Sequence, residues 1–340
     1  MFSNRLGHRI LVPLDSSELA TASLPFIRRL STPETEIELF QVVPDPVPMT
    51  ELAGTSKFPI ARLRAERLQA ARAYLEMVKR SLWDVSGYVR TSVTIGVPAA
   101  EIIRMAGERE CDMVVMASHV RGAIGRMVIG STTDEVARKA TIPVMVIHPH
   151  DDSGDGRTAD ISRIVVPLDG SDLSMRARPV VAEFALRYRL PVILVRAIPL
   201  DRERLLVRLE ANTSSRQAVA KETFALWLEA RSFLHREARK LHARGITVKT
   251  RVVAGTPAQK IIGLVNAGDV IIMTSHGEGG ARRWMLGSVA QELLQSGVAP
   301  VVLVPNREQP EAGTTTTLAE MEVIAPSIGL DADLAIGSGA

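Results

Sequence analysis

The sequence predicts an α/β fold made of two tandem domains, each a mostly parallel five-stranded sheet with helices on both sides. Three observations carry that expectation. Short apolar, β-branched runs alternate with longer helical patterns. Several of the runs are almost continuously apolar, as strands buried on both faces are. The whole pattern then occurs twice, in the same order, at offsets of 154 to 159 residues.

The repeat is visible in the letters. RILVPLDSSELATASLPF begins at Arg9, and RIVVPLDGSDLSMRARPV begins at Arg163. GVPAAEII at Gly96 returns as GTPAQKII at Gly255, and CDMVVMASH at Cys111 returns as GDVIIMTSH at Gly268. GSTTDEVARKATIPVMVIHP at Gly130 returns as GSVAQELLQSGVAPVVLVPN at Gly287. So many correspondences in register indicate duplication.

In the first copy the strands are expected at Ile10–Leu14, Glu36–Val43, Tyr88–Ile95, Met113–Ala117 and Val144–His148. In the second they are expected at Ile164–Leu168, Val192–Ala197, Thr247–Val253, Val270–Thr274 and Val301–Val304. The first, third and fourth strands of each copy read as buried on both faces. Helical stretches such as Ile60–Leu82 and Gln217–Ala243 connect them, so the sheet is parallel. Phe224, Trp227 and Leu228 fall at helical spacing and are expected in the core. Trp284 and Met285, in the loop before Gly287, are candidates for a lid or an interface.

These elements divide the chain into a first domain at 1–150, a linker at 151–160, a second domain at 161–306 and a tail at 307–340. The linker lies in the polar, turn-rich stretch Pro149–Ala159. The tail loses periodicity and reads as mostly disordered, with a short docking segment at Met321–Ile324.

Composition excludes several classes. The apolar fraction is 46% and the charged fraction 23%, ordinary for a globular protein with a sizeable core. A net charge of +3 leaves no nucleic-acid footprint, and the arginines in Arg62–Arg80 and Arg231–Arg244 read as solvated helix faces. One cysteine, Cys111, rules out a disulfide framework and reads as a small buried residue. The seven histidines do not cluster at metal spacing, and His148 and His150 read as surface residues. No apolar stretch approaches the roughly 20 residues of a membrane span. The N-terminus runs into a strand pattern with no room for a signal peptide, so a cytoplasmic protein is expected.

Ligands of open parallel sheets bind beyond the carboxyl ends of the strands, where strand order reverses. Sequence position sends four elements of each copy there. Asp15 and Asp169 end the first strand, where a carboxylate can accept hydrogen bonds from a ribose or base, or N-cap the next helix. Val42 and Ala197 end the second strand. MASHVRGAIG and MTSHGEGGAR follow the fourth. Gly130-Ser131 and Gly287-Ser288 open the last helix, where backbone N–H groups and the helix dipole suit a phosphate, although plain capping explains them too.

The ordered set V-P-L-D, G-x-P-A-x-x-I-I, D-[MV]-[IV]-[IV]-M-x-S-H and G-S resembles the universal stress protein family, over about residues 7–150 and 161–306. That resemblance implies two Rossmann-like domains of the adenine nucleotide alpha hydrolase type. It further implies a stress-response regulator whose two halves pair with each other, Val144–His148 antiparallel to Val301–Val304, with a homodimer as a further assembly. Nucleotide-binding members carry G-x2-G-x9-G-[S/T] after the fourth strand. The first copy reads Ala117-x2-Val120-x9-Gly130-Ser131, and both early glycines are missing. The second reads Thr274-x2-Gly277-x9-Gly287-Ser288 and departs only at Thr274. After the second position, Arg121 would assist phosphates in the first copy, whereas Glu278 would repel them in the second. The resemblance therefore implies ATP or a related adenine nucleotide in the second copy in preference to the first. Asp169 would meet the ribose or adenine, and Ala197 would supply backbone to the base. Thr274, Gly277, Gly287 and Ser288 would hold phosphates, with Val289 nearby. In the first copy the corresponding residues are Asp15, Val42, Gly130 and Ser131.

The pairs Ser118-His119 and Ser275-His276 suggest a hydrolase only superficially, because adjacent side chains diverge and no G-x-S-x-G elbow is present. They are expected to shape the loop instead. There is no P-loop and no H-E-x-x-H. A non-catalytic protein is expected, with a nucleotide-independent interaction scaffold and a weak ATPase as alternatives.

Overall fold

The computed structural model describes residues 6–45, 60–118, 129–148, 161–198, 213–275 and 286–306, with backbone alone at 213–220. The linker, the tail with its Met321–Ile324 segment, Gly277, Trp284 and Met285 lie outside the described residues.

In the first copy the strands are β1 (Arg9–Pro13), β2 (Glu36–Val43), β3 (Tyr88–Ile95), β4 (Met113–Ala117) and β5 (Val144–Ile147). The helices are α1 (Leu24–Leu30), α2 (Ile60–Ser81), α3 (Pro98–Glu108) and α4 (Ser131–Lys139), with a 3-10 turn at Leu19–Ser23. The second copy has β6 (Arg163–Pro167), β7 (Val192–Ile198), β8 (Val248–Ala254), β9 (Asp269–Thr274) and β10 (Val301–Val304). Its helices are α5 (Asp172–Met175), α6 (Arg178–Tyr188), α7 (Thr213–His242), α8 (Pro257–Ile262) and α9 (Ser288–Ser296).

The ten described strands form one sheet in the order β3-β2-β1-β4-β5-β10-β9-β6-β7-β8. Every pair within a copy is parallel. The middle pair is antiparallel, with Val301 opposite Val146, Val302 opposite Met145 and Leu303 opposite Val144. Both strands of that pair are buried along their whole length. Strand order reverses beside β1 and β6, which places a crevice beyond their carboxyl ends.

The pleat sends alternate residues to opposite faces. Ile10, Val12, Met145 and Ile147 join one core with α1, α2, α6 and α7. Leu11, Val144 and Val146 join the other with α3, α4, α8 and α9. Each core contains residues of both copies.

The strand starts are held by acids, half-buried Asp112 in the first copy and buried Asp269 in the second. Asp112 accepts backbone N–H groups from Gly7, His8 and Arg9 at 2.6, 2.9 and 2.8 Å, locking the approach to β1 against β4. In the second copy Asp269 accepts from Arg163 Nε at 2.8 Å and from the Asn266 backbone at 2.8 Å. The copies also touch through α6. Tyr188 donates its hydroxyl to the Leu30 carbonyl at 3.1 Å, and Arg187 donates to the Gly7 carbonyl and the Thr32 hydroxyl, both at 2.9 Å.

Three expectations are corrected. The third strands are not buried on both faces: β3 has no fully buried residue, and β8 buries only Val248. They are the two ends of the sheet, so each has one neighbour only. Phe224 and Leu228 are exposed, at 59% and 42%, while Trp227 is half-buried with its ring stacked on Phe224. The cause is length: 30 helical residues run about 45 Å. The strands beneath are 7 residues, about 23 Å, so this part of α7 has little sheet to cover. His148 is buried, because it directly follows the central strand β5, which is buried along its whole length.

Cys111 is buried, as its setting before β4 suggests. Burial pushes its thiol up to about 12, with the Asp112 and Glu38 charges adding to the effect. The thiolate is therefore suppressed at pH 8, and iodoacetamide should leave Cys111 unmodified in the folded chain and alkylate it in urea, as read by mass spectrometry. At the central seam Leu303 is 1% exposed. Leu303→Ala should cost about 3 kcal/mol of unfolding free energy in a urea titration.

Candidate functional site

After β1 the chain turns away from the sheet. The Leu14 N–H still reaches the Phe40 carbonyl at 2.8 Å, and Asp15 follows. Asp15 Oδ1 accepts from the Ser17 backbone at 3.0 Å and from the Ser17 hydroxyl at 2.6 Å. Ser17 Oγ in turn accepts from the Ala20 N–H at 3.1 Å. The second copy repeats this: Asp169 Oδ1 accepts from Ser171 N and Oγ at 2.9 and 2.6 Å, and Ser171 Oγ accepts from Ser174 N at 3.1 Å. Neither aspartate is itself the cap. Through an Asx turn Asp169 orients Ser171, the N-cap of α5, and Asp15 orients Ser17, which stands one residue before the N-cap Glu18 of the 3-10 turn. The residue between them takes a left-handed conformation in both copies, Ser16 at φ 67° and Gly170 at φ 94°.

The start of α4 is placed by the end of β4. Ser118 is fully buried, its N–H donates to the Ile147 carbonyl at 2.9 Å, and its hydroxyl accepts the Gly130 N–H at 3.2 Å. The serine of the Ser-His pair thus shapes the loop; His119 and His276 lie outside the described residues. In the second copy the Gly287 N–H reaches the Ser275 carbonyl at 2.8 Å instead. Gly130 and Gly287 are both N-caps, at φ −58° and −61°, with no side-chain cap bond. A Cβ on Gly130 would meet only Thr133 Oγ1, at 3.9 Å. Glycine is therefore not demanded by the backbone there. Its missing side chain leaves open space at a helix N-terminus, where first-turn N–H groups have no partner within the helix.

These pieces enclose a cavity of about 560 Å³, well within the range of small-molecule sites. Asp15, Val42, Gly130 and Ser131, the four candidates of the first copy, all line it. Leu14, Phe40, Ile102 and Met116 supply apolar wall, and exposed Arg67 of α2 stands at its edge. Ala117, at the first altered glycine position, also lines it; Val120 and Arg121 lie outside the described residues.

Sequence reasoning missed Gln41, Ser16 and Arg67. Gln41 is 8% exposed and lines the cavity. Its Nε2 donates to Ser16 Oγ at 2.8 Å, while its buried Oε1 has no hydrogen-bond partner among the described residues. An unpaired buried acceptor costs about 1–3 kcal/mol, which a ligand donor would relieve. A polar residue in the apolar run LFQVV was the available signal. Tyr74 of α2 also has a buried hydroxyl with no partner among the described residues; burial raises its pKa and the Asp15 charge raises it further.

The second-copy candidates are placed less coherently. Asp169 and Ser288 are exposed, while Ala197, Gly287 and Val289 are half-buried, Val289 against the second core. Thr274 is buried, 4% exposed, and pairs with Val304 in the sheet. The preference for the second copy rested on its glycines, of which Gly277 lies outside the described residues. Among the described residues no group of three or more His, Cys, Asp or Glu is placed to hold a metal ion, and no helix is long and apolar enough to cross a membrane.

The family model of the universal stress protein family matches the chain twice, at residues 7–148 and 161–305. A universal stress protein of Mycolicibacterium smegmatis is 26% identical over 317 residues, covering 90% of this chain and 100% of its own. One from Mycobacterium tuberculosis is 28% identical over 219 residues, covering 63% of this chain and 68% of its own. The crystal structure of a universal stress protein from Archaeoglobus fulgidus superposes with a TM-score of 0.60 at 18% identity, covering 88% of this chain and 99% of that one. At that identity the likeness concerns the fold alone.

Ser118→Ala removes the acceptor that holds Gly130. It should lower stability by about 1 kcal/mol in chemical denaturation.

Proposed function

The chain belongs to the universal stress protein family, and from that premise we propose that it is a non-catalytic stress-response regulator whose first half binds ATP or a related adenine nucleotide. The observation that carries this reading is the cavity at the ends of β1, β2 and β4, with the unpaired carbonyl oxygen of Gln41 in its wall. The apolar wall of Leu14, Phe40, Ile102 and Met116 suits the face of a base. Gln41 Oε1 needs a donor, which an adenine amino group or a ribose hydroxyl supplies. Asp15 stands where ribose hydroxyls can donate to it, and the backbone of Val42 is at hand for the base edge. The start of α4, left open by Gly130, suits the phosphates, with the Ser131 hydroxyl beside it. ATP would bring a planar base and a polyanion, matching the two ends of this lining.

Binding without turnover is the simplest use of such a site. Asp15 is engaged in organising its own turn, and Ser118 in holding Gly130. In this reading the two halves, joined through β5 and β10, serve as their own pair, homodimers of the chain are the next level of assembly, and the protein works in the cytoplasm.

Isothermal calorimetry of the full chain with ATP and Mg²⁺ should show micromolar binding. Gly130→Val with Ser131→Ala should weaken it at least tenfold while leaving the unfolding midpoint in place, because the backbone at Gly130 accepts a side chain. Absence of heat and of any thermal shift at millimolar ATP would remove the nucleotide reading and leave the interaction scaffold. Sustained phosphate release would overturn the non-catalytic part.

A further inference from the structure

At the ends of the first two strands the copies share a backbone arrangement but differ in the side chains beside it. Matching hydrogen bonds set the correspondence: Leu14 donates to Phe40, and Leu168 donates to Val195, both at 2.8 Å. Gln41 of β2 therefore corresponds to Arg196 of β7, and Ser16 to Gly170. The long helices align by their buried faces, Ala71, Leu75, Val78 and Leu82 against Ala230, Leu234, Glu237 and Leu241. In that register Ala70 corresponds to Glu229, and Tyr74 to Phe233.

In the first copy Gln41 and the small Ala70 and Ala71 line open space. In the second copy a long cation stands there. Arg196 donates from Nη2 to Glu229 Oε1 at 3.3 Å, and its guanidinium carbon lies 5.1 Å from the centre of the Phe233 ring. The same group lies over Gly170, where a Cβ would come within 3.1 Å of Cζ. Its side chain is only 19% exposed, so the guanidinium is folded inward.

We propose that Arg196, braced by Glu229 and Phe233, plugs the crevice of the second copy, so that one half of the duplicated fold is open to ligand and the other is closed by its own side chain. This rests on the reading of the first-half cavity as an adenine-nucleotide site. The residue at position 41 or 196 is then the specificity determinant: glutamine leaves room and offers an acceptor, whereas arginine takes the room and offers no acceptor. The ion pair contributes little by itself, since Glu229 is 66% exposed. Occupation of space by the stacked guanidinium does the closing.

The test is the number of ATP sites per full chain, read by calorimetry with Mg²⁺. The wild type should bind one. Arg196→Gln with Glu229→Ala, which installs the residues of the first copy, should bind two. Gln41→Arg with Ala70→Glu should bind none. One site in the wild type and still one in the Arg196→Gln, Glu229→Ala variant would overturn the plug. So would two sites in the wild type, or one site that Gly130→Val with Ser131→Ala leaves intact. No site in the wild type but one in the Arg196→Gln, Glu229→Ala variant would uphold the plug and overturn the first-half site. No site in either protein would overturn both. Circular dichroism and the unfolding midpoint confirm that each variant is folded before its sites are counted.

Discussion

The antiparallel pairing of β5 with β10 is the contact on which the rest depends. A lone five-stranded copy would end at β5 in a row of unpaired backbone groups flanked by wholly apolar residues. Joining it to β10 satisfies those groups and continues both cores across the seam, so each helical layer contains elements of both copies. The contacts of Tyr188 and Arg187 with Leu30, Gly7 and Thr32 tie the same layer together away from the seam. The antiparallel sense has a geometric result. All strands of one copy run opposite to all strands of the other, so the two crevices open at opposite ends of the sheet and do not share a mouth.

Duplication leaves the backbone devices nearly unchanged. The Asp-x-Ser turn after β1 and β6 has the same hydrogen bonds and the same left-handed middle residue, whether serine or glycine. The helix starts at Gly130 and Gly287 have nearly the same dihedral angles. What differs is the volume and charge placed beside those devices. Beside them the first copy has Gln41 and Ala70 lining open space, whereas the second has Arg196 set against Glu229 and Phe233. Because interiors are close-packed, a long side chain turned inward removes a cavity as effectively as a change of fold would.

The strands were legible almost residue by residue: Glu36–Val43, Tyr88–Ile95, Met113–Ala117 and Val301–Val304 fall where the apolar runs put them. The reason is that regular alternation of apolar runs and helical stretches is a local property. The failures were tertiary. The exposure of β3 and β8 follows from their place at the sheet ends, and that of Phe224 from the length of α7 relative to the strands below. His148 looked like a surface residue beside a proline, yet it is buried directly after a strand whose every residue is buried.

The same division holds at the site. Sequence by itself determined the duplication, the family, the strand-end aspartates and the Gly-Ser helix starts, because each is a residue type fixed by a local backbone task. It did not show all the side chains that line the crevice of the first copy. Glycine spacing pointed to the second copy, whereas the described cavity stands in the first. Only the tertiary structure set Arg196 against Glu229 and Phe233, residues more than 30 positions away on another element, and left Gln41 facing open space. Whether a crevice is open is a question of volume among side chains brought together by the fold, and that quantity is not carried by any one stretch of the chain.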